Sequence, residues 1–395
     1  MKDKVIGFLN SAKGAGGVLL AAMMMAFVWV NSPFAASYEL IHHAQVSVSI
    51  GDYELGKPMI SWINEGLMVI FFFLVGLEIK REILTGQLSS LSQIALPAFG
   101  ALGGMLVPAL VYLYFNQGDQ EAMRGWAIPV ATDIVLVLAL LAILENRIPL
   151  SLKIFLTALA VFDDLGTLVA IAGFYSHGLS ALSLALAGGG LGALGVLNRI
   201  GVFRISLHLT IGLFIWLAIL ESGVHATIAG VLIAFMIPLS VGDEPILERI
   251  EHALAPWVAM LIIPVFAFFN SGISVSDLTA DKILSPVSIG VILGLFVGKQ
   301  LGVMLGVLIA VRFRLSRLPA GCDWYHMYGA AVLTGVGFTM GLFVVGLAFS
   351  QAGLILSTNF SVIIGSCLSA VMGLAILSAR SIAFDATDQR KSKNM

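Results

Sequence analysis

Apolar stretches long enough to cross a membrane recur along almost the whole chain. They lie at 14 to 30, 59 to 79, 94 to 115, 125 to 143, 151 to 175, 181 to 198, 205 to 220, 223 to 239, 254 to 270, 286 to 311, 327 to 349 and 357 to 379. A helix rises about 1.5 Å per residue, so such stretches match the roughly 30 Å hydrocarbon core of a bilayer. Inside that core backbone polar groups must be satisfied within the protein, and continuous apolar runs do so as helices. With 59% hydrophobic and 11% charged residues, and a mean hydropathy of +1.00, the chain has too little polar surface to coat a soluble globule of 395 residues. The expected fold is an all-α integral membrane protein of twelve transmembrane helices. One domain covers residues 1–384, and a polar, disordered tail is expected from Asp385 to Met395. The weakest division falls between the seventh and eighth stretches, which only Glu221-Ser222-Gly223 separates.

The distribution of Lys and Arg tests this layout. Seventeen of the 21 fall on one side of the alternating spans, while Lys57, Arg124 and Lys282 fall on the other and Lys299 lies inside a span. That asymmetry places both termini in the cytoplasm, because a missed or invented helix would scramble it. Lys2, Lys4 and Lys13 before the first apolar run imitate a signal peptide, but no small-residue cleavage site precedes Asn31, so the run reads as a retained span. A net charge of −2 and a pI near 6.4, with no basic arm, argue against a nucleic-acid partner. Cys322 and Cys367 lie on different segments and have no metal-ligand spacing, so no disulfide framework is expected.

Between the first two spans, AQVSVSIGDYELGKP alternates apolar and polar residues on both sides of Gly51-Asp52. It reads as an outer-face β-hairpin over residues 46–55, whose open edge offers a route to a homodimer.

Charges inside the spans narrow the chemistry. Asp163 and Asp164 sit about twelve residues from either end of their stretch, some 18 Å along a helix, where each carboxylate costs at least ~2.5 kcal/mol. Two in succession read as an ion or proton site. Their charges repel, so the pair should titrate as a coupled system, and hard oxygen ligands suit Na+ or Li+. Asp133 lies in the fourth stretch beside Thr132 and after Pro129, where a missing backbone donor favours a broken helix. Lys299 is too deep in the tenth stretch to snorkel and needs a buried counter-charge. The eleventh stretch has no charge but gathers Thr334, Gly335, Gly337, Thr339 and Gly341 near its centre, which fits either a helix interruption or close packing through small residues. The GGGLG run at 188 to 192 is expected to serve such packing.

Broken-looking fourth and eleventh stretches lie seven spans apart, and an odd offset inverts topology. Spans 3–5 and 10–12 therefore read as inverted repeats with two discontinuous helices crossing near the midplane. Asp133 would compensate their half-helix N-termini and Lys299 their C-terminal ends.

At this point the sequence resembles the NhaA sodium/proton antiporters of bacterial inner membranes. The residues that carry the resemblance are FFFLVGLEIKRE at 71 to 82, GWAIPVATDI at 125 to 134, FDDLG at 162 to 166, SGVHATIAGV at 222 to 231, FAFFNSGI at 266 to 273, GK at 298 to 299 and TGVGFTMGLF at 334 to 343. The resemblance implies a multi-pass protein with crossed, interrupted helices 4 and 11, dimerising through the outer hairpin. It implies that Asp163 and Asp164 carry the ion and the protons, with Thr132, Asp133 and Lys299 completing the centre. Transport would be electrogenic, with more protons entering than Na+ or Li+ leaving, and no cofactor is implied beyond the transported ions. A cytoplasmic cluster of Glu78, Arg81, Glu82, Glu251 and His252 would sense pH. The chain departs from the family pattern with Glu248 where a lysine, and Ala255 where a second histidine, is often found, so no pH midpoint carries over. His225, just inside the outer end of the eighth stretch, fits a pH-linked group and a helix-packing histidine equally well. Glu65 reads as a tuning charge.

Two other classes fit parts of this pattern. An intramembrane aspartyl protease would need its aspartates on separate helices and a Gly-x-Gly-Asp motif, which is missing. A sodium-coupled solute symporter could share the crossed helices but should lack an adjacent aspartate pair with an intramembrane lysine.

Overall fold

Every apolar stretch carries helix in the computed structural model, which describes residues 12–51, 53–85, 91–144, 148–176 and 178–393. The chain opens with α1 (Ala12–Val30) and the short α2 (Ala35–His42), followed by strands β1 (Gln45–Ile50) and β2 (Tyr53–Pro58). Then come α3 (Met59–Leu84), α4 (Leu91–Asn116), α5 (Ile134–Ile143), α6 (Leu150–Phe174), α7 (Ala181–Arg199), α8 (Ile205–Leu220), α9 (Thr227–Met236) and α10 (Ile246–Asn270). The last are α11 (Pro286–Arg312), α12 (Trp324–Leu333), α13 (Phe338–Ala348) and α14 (Ala352–Lys393). Among the described residues, eight helices are long and apolar enough to cross a membrane, or nine if the pair α12 and α13, bent by 42°, is one span. α5, α8 and α9 are shorter apolar helices. Large apolar side chains such as Leu106, Leu110, Leu182 and Val371 stay exposed on the helices, as expected of lipid-facing surfaces.

The strands pair antiparallel, from Gln45 opposite Pro58 to Ile50 opposite Tyr53. A two-residue connection needs a left-handed backbone, and Gly51 supplies it with φ +62°, while Asp52 lies outside the described residues. The hairpin is therefore present, three residues longer at its end than the 46–55 expected.

The chain divides into two compact units. One comprises Met1–Gly17, Gln87–Thr167 and Ser276–Met395, the other Val18–Gly86 and Leu168–Val275. In the first, α11 lies along α4 through glycines spaced four apart, Gly294, Gly298, Gly302 and Gly306. A Cβ on Gly302 would overlap the Gly103 carbonyl, and one on Gly306 the Phe99 carbonyl, so the backbones meet with no side chain between them. In the second, α3 packs on α9 in the same way, with Gly230 against the Val69 carbonyl and Gly76 against Val231 and Ala234. The Lys80 ammonium donates to the Phe235 and Ile237 carbonyls and so closes the C-terminal end of α9.

Three expectations are corrected. In the GGGLG run, Gly188, Gly189 and Gly192 face open space, and only Gly190 meets a neighbour, Ile215. α10 starts eight residues before the apolar stretch at 254, because ILERIEHA is amphipathic and joins the helix without being apolar enough to register as a span. α14 continues to Lys393 through the residues expected to form a disordered tail, since extending a helix through Ala, Gln, Arg and Lys needs no new nucleus. Both cysteines are free, and burial pushes the Cys322 thiol up from its ordinary range.

Candidate functional site

Two helix interruptions define the site, and both lie in the first unit. The fourth apolar stretch begins as a 3-10 turn, Arg124–Ala127, loses helical geometry over 128–133, and resumes as α5. Pro129 cannot donate a helical hydrogen bond, which explains the break. The eleventh stretch breaks at 334–337, between α12 and α13. Gly337 is required there: a Cβ would sit 2.7 Å from the Ala131 carbonyl. Across this contact the Asp133 amide donates to the Val336 carbonyl at 2.7 Å. Residues 334–337 thus leave helical geometry while 338–341 belong to α13, and the two breaks are hydrogen-bonded to each other.

Asp133 sits where two helices begin. Its Oδ1 accepts from the Leu136 amide at 3.1 Å, the N-cap bond of α5. Its Oδ2 accepts from the Thr339 amide at 3.1 Å and the Thr339 hydroxyl at 2.7 Å, in the first turn of α13. One buried carboxylate thus faces the positive ends of both half-helices.

Lys299 follows a π-helical stretch, Gly294–Gly298, within α11. Its ammonium donates to Asp163 Oδ2 at 2.6 Å, with both side chains fully buried, and to the Val130 carbonyl inside the first break. Gly104 on α4 lies beside the lysine stem and packs closely on Val303, whose side chain a Cβ there would meet at 2.8 Å. The Thr132 hydroxyl lies 2.7 Å from Asp163 Oδ2 and 2.9 Å from the Thr334 carbonyl, so its single hydrogen has two acceptors within reach. Asp164 is 6% exposed on the same helix. Asp163 Oδ1 and the Thr167 hydroxyl, four residues apart on one face of α6, are both buried without a hydrogen-bond partner. Oxygens left over in this way fit a hard cation, because an unsatisfied buried acceptor costs free energy that a ligand can return.

The geometry thus joins Thr132, Asp163 and Lys299 directly, and links Asp133 to them through the two hydrogen-bonded breaks. Sequence reading gave no site role to Thr339, which it named only within the glycine-threonine cluster, and missed the Val130 and Val336 carbonyls and Thr167. The first and last carried a signal, Thr339 as part of the glycine-threonine cluster and Thr167 by its four-residue spacing from Asp163.

A family model described as Na+/H+ antiporter 1 matches residues 7–377. The chain belongs to the NhaA family. It is 60% identical over 370 residues to the Na(+)/H(+) antiporter NhaA of Maricaulis maris, covering 94% of this chain and 92% of that protein. It is 46% identical over 382 residues to NhaA of Shewanella sp. strain ANA-3, covering 96% and 98%. Identity to NhaA 2 of Saccharophagus degradans is 46% over 370 residues, covering 92% and 97%. NhaA-family membership and the apolar helices together describe a multi-pass membrane protein.

The second cluster named from this NhaA sequence lies in the other unit. Arg81 Nε donates to Glu251 at 2.9 Å, and its Nη1 lies 2.9 Å from Glu82 Oε1. Glu78 feels the charges of Glu251, Arg81 and Glu82. His252 is exposed one residue beyond Glu251, while Arg249 pairs with Glu244 at 3.2 Å. His225 does not join them. Its Nδ1 lies 2.8 Å from the Thr227 hydroxyl at the start of α9, the opposite end from the carbonyls held by Lys80. Glu65 pairs with Lys57, and its carbonyl accepts from the Trp216 indole at 3.1 Å.

Proposed function

We propose that this chain is an electrogenic, pH-regulated Na+(Li+)/H+ antiporter that works by alternating access at Asp163 and Asp164. The observation that carries the reading is the fully buried Lys299–Asp163 ion pair, bonded to one helix break through Val130 and to the other through Thr132 and Thr334.

Charge balance makes the site an exchanger. With Lys299 charged, Asp163 ionised and Asp164 protonated, the buried set is neutral. Na+ entering beside two carboxylates keeps it neutral only if a proton leaves, and an uncompensated buried charge costs several kcal/mol. The surrounding groups are suited to the switch. Lys299 retains Val130 when Na+ displaces it from Asp163, and Thr132 can turn its hydrogen to Thr334 while its oxygen faces the ion. Asp133, already accepting three hydrogen bonds, serves as fixed compensation for the helix ends rather than as an ion ligand. A second proton per cycle, given up by Lys299 when Na+ displaces it from Asp163, makes the exchange electrogenic, since the sodium-loaded set then carries one positive charge less than the proton-loaded set.

The wider reading has twelve crossings, counting α5, α8, α9 and the bent pair, with inverted repeats over α4–α6 and α11–α14. Both termini are cytoplasmic, and residues 385–395 form the polar cytoplasmic end. The hairpin joins two copies in a homodimer, in a bacterial inner membrane. Glu78, Arg81, Glu82 and Glu251, with His252 beside them, form the cytoplasmic pH sensor, and His225 acts separately at the outer side.

Everted vesicles carrying a pH dye test the function. Adding Na+ or Li+ to a preformed proton gradient should collapse it, and Asp164→Asn should abolish the response. Absence of a Na+ response at every pH from about 6.5 to 9, or a normal response in the variant, would remove the assignment. In the same assay Glu251→Gln should shift the pH profile, whereas an unshifted profile counts against the sensor.

A further inference from the structure

Away from the transport site, the end of α2 and His43, the residue that follows it, bring three ligating side chains together. Glu39, His42 and His43 stand at positions i, i+3 and i+4, and one ligand atom from each lies within 4.8 Å of the others. The bland reading is an exposed ion pair, since His43 Nε2 lies 3.3 Å from Glu39 Oε2. His42 does not fit that reading. Its Nε2 lies 3.1 Å from the Phe269 carbonyl, which can only accept, so Nε2 carries the hydrogen and Nδ1 the lone pair. That Nδ1 is buried with no hydrogen-bond partner. The ring is held on two sides, stacked on Tyr38 at 5.8 Å and on Phe269 at 6.0 Å between centroids. Tyr38 is itself anchored by donating to the Phe268 carbonyl at 2.8 Å.

A histidine whose N–H is fixed by a backbone carbonyl, leaving the other nitrogen bare, is the arrangement that orients metal-ligating imidazoles. We propose that Glu39, His42 and His43 bind a borderline divalent transition-metal ion such as Zn2+ or Cu2+, with His42 Nδ1 as the fixed ligand. Tetrahedral zinc with bonds of about 2.0–2.1 Å needs ligand atoms roughly 3.3 Å apart, so the site must contract slightly. The two residues that must move are free to do so: the His43 and Glu39 side chains are 67% and 60% exposed. The His43 ring meets that of His42 edge-on at 4.9 Å between centroids, so the two imidazoles already adjoin. Two imidazoles and one carboxylate, with water completing the shell, favour Zn2+ or Cu2+ over hard Na+, Mg2+ or Ca2+. The site is thus separate in chemistry from the one that handles the transported cation.

Calorimetric titration of metal-free, tag-free protein in detergent with ZnCl2 tests this. Wild type should bind one equivalent, His43→Gln should weaken binding at least tenfold, and Glu39→Gln severalfold. With Cu2+, electron paramagnetic resonance should show coupling to two imidazole nitrogens in wild type and to one in His43→Gln. His43 is exposed, so that variant keeps its fold even if His42→Gln loosens α2. No saturable binding by wild type up to about 1 mM, or undiminished binding in His43→Gln, would overturn the proposal.

Discussion

Asp133 concentrates more of the fold than any other side chain of the candidate site, because one carboxylate accepts three hydrogen bonds at the starts of α5 and α13. Asp133→Ala should lower stability by about 3–5 kcal/mol, since it leaves two buried amides and a hydroxyl unsatisfied. Asp133→Asn keeps one acceptor and should cost about half as much, as Thr339 reverses its hydroxyl. Thermal unfolding of the two variants checks this order, and an Ala variant as stable as wild type would refute it. Thr167 should behave in the opposite way. Its hydroxyl has no partner, so Thr167→Val should leave stability unchanged or raise it, while the KM for Na+ rises severalfold if that oxygen faces the ion. A KM equal to wild type would exclude Thr167 from coordination. At this scale the sequence was most legible where a charge was expensive: Asp163, Asp164, Asp133 and Lys299 could be picked out by depth alone. Carbonyls such as Val130 were hidden, because a backbone acceptor has no letter in the sequence and is released only by the break around Pro129.

The elements show where periodicity informs and where it misleads. Apolar length located the helices well, and Pro129 with the glycine-threonine cluster located both interruptions. Close packing was misassigned because consecutive glycines in GGGLG look more conspicuous than Gly294, Gly298, Gly302 and Gly306, which are diluted by three residues each. Spacings of three or four keep glycines on one helix face while adjacent ones point around the axis, and in GGGLG the glycines so spaced, Gly188 and Gly189 with Gly192, meet nothing. Paired substitutions separate the two cases. Gly302→Ala must push α11 from the Gly103 carbonyl, a backbone atom that cannot rotate away, and should cost about 1–3 kcal/mol. Gly192→Ala meets nothing and should gain up to about 1 kcal/mol from helix propensity. Unfolding of both in one detergent decides the matter. If the two changes had equal effects, the seam along α4 would not be a packing contact. Because Lys299 lies between Gly298 and Gly302, loosening that seam should also reduce transport.

For the whole molecule, the legible part was composition, whose long apolar stretches demand a membrane. The proposed association of copies rests on an unsatisfied edge. A two-stranded hairpin is marginal by itself in water, and this one is tied to its own chain at the base, where the Trp62 indole donates to the Val46 carbonyl at 2.9 Å. Beyond that bond β1 carries an exposed Val48, and two strands leave two outer edges. Pairing with the hairpin of a second copy would build a four-stranded sheet and satisfy backbone groups on both chains at once, without altering the oxygens around Asp163. Deleting residues 46–55 should therefore convert a dimer in detergent to a monomer by light scattering coupled to size exclusion. Lower unfolding temperature should accompany the conversion at low protein concentration, because association stabilises by mass action. A deletion variant that remains dimeric would place the interface on the exposed apolar helix faces instead, and one that is monomeric but transports as wild type would show that each copy carries a complete ion site.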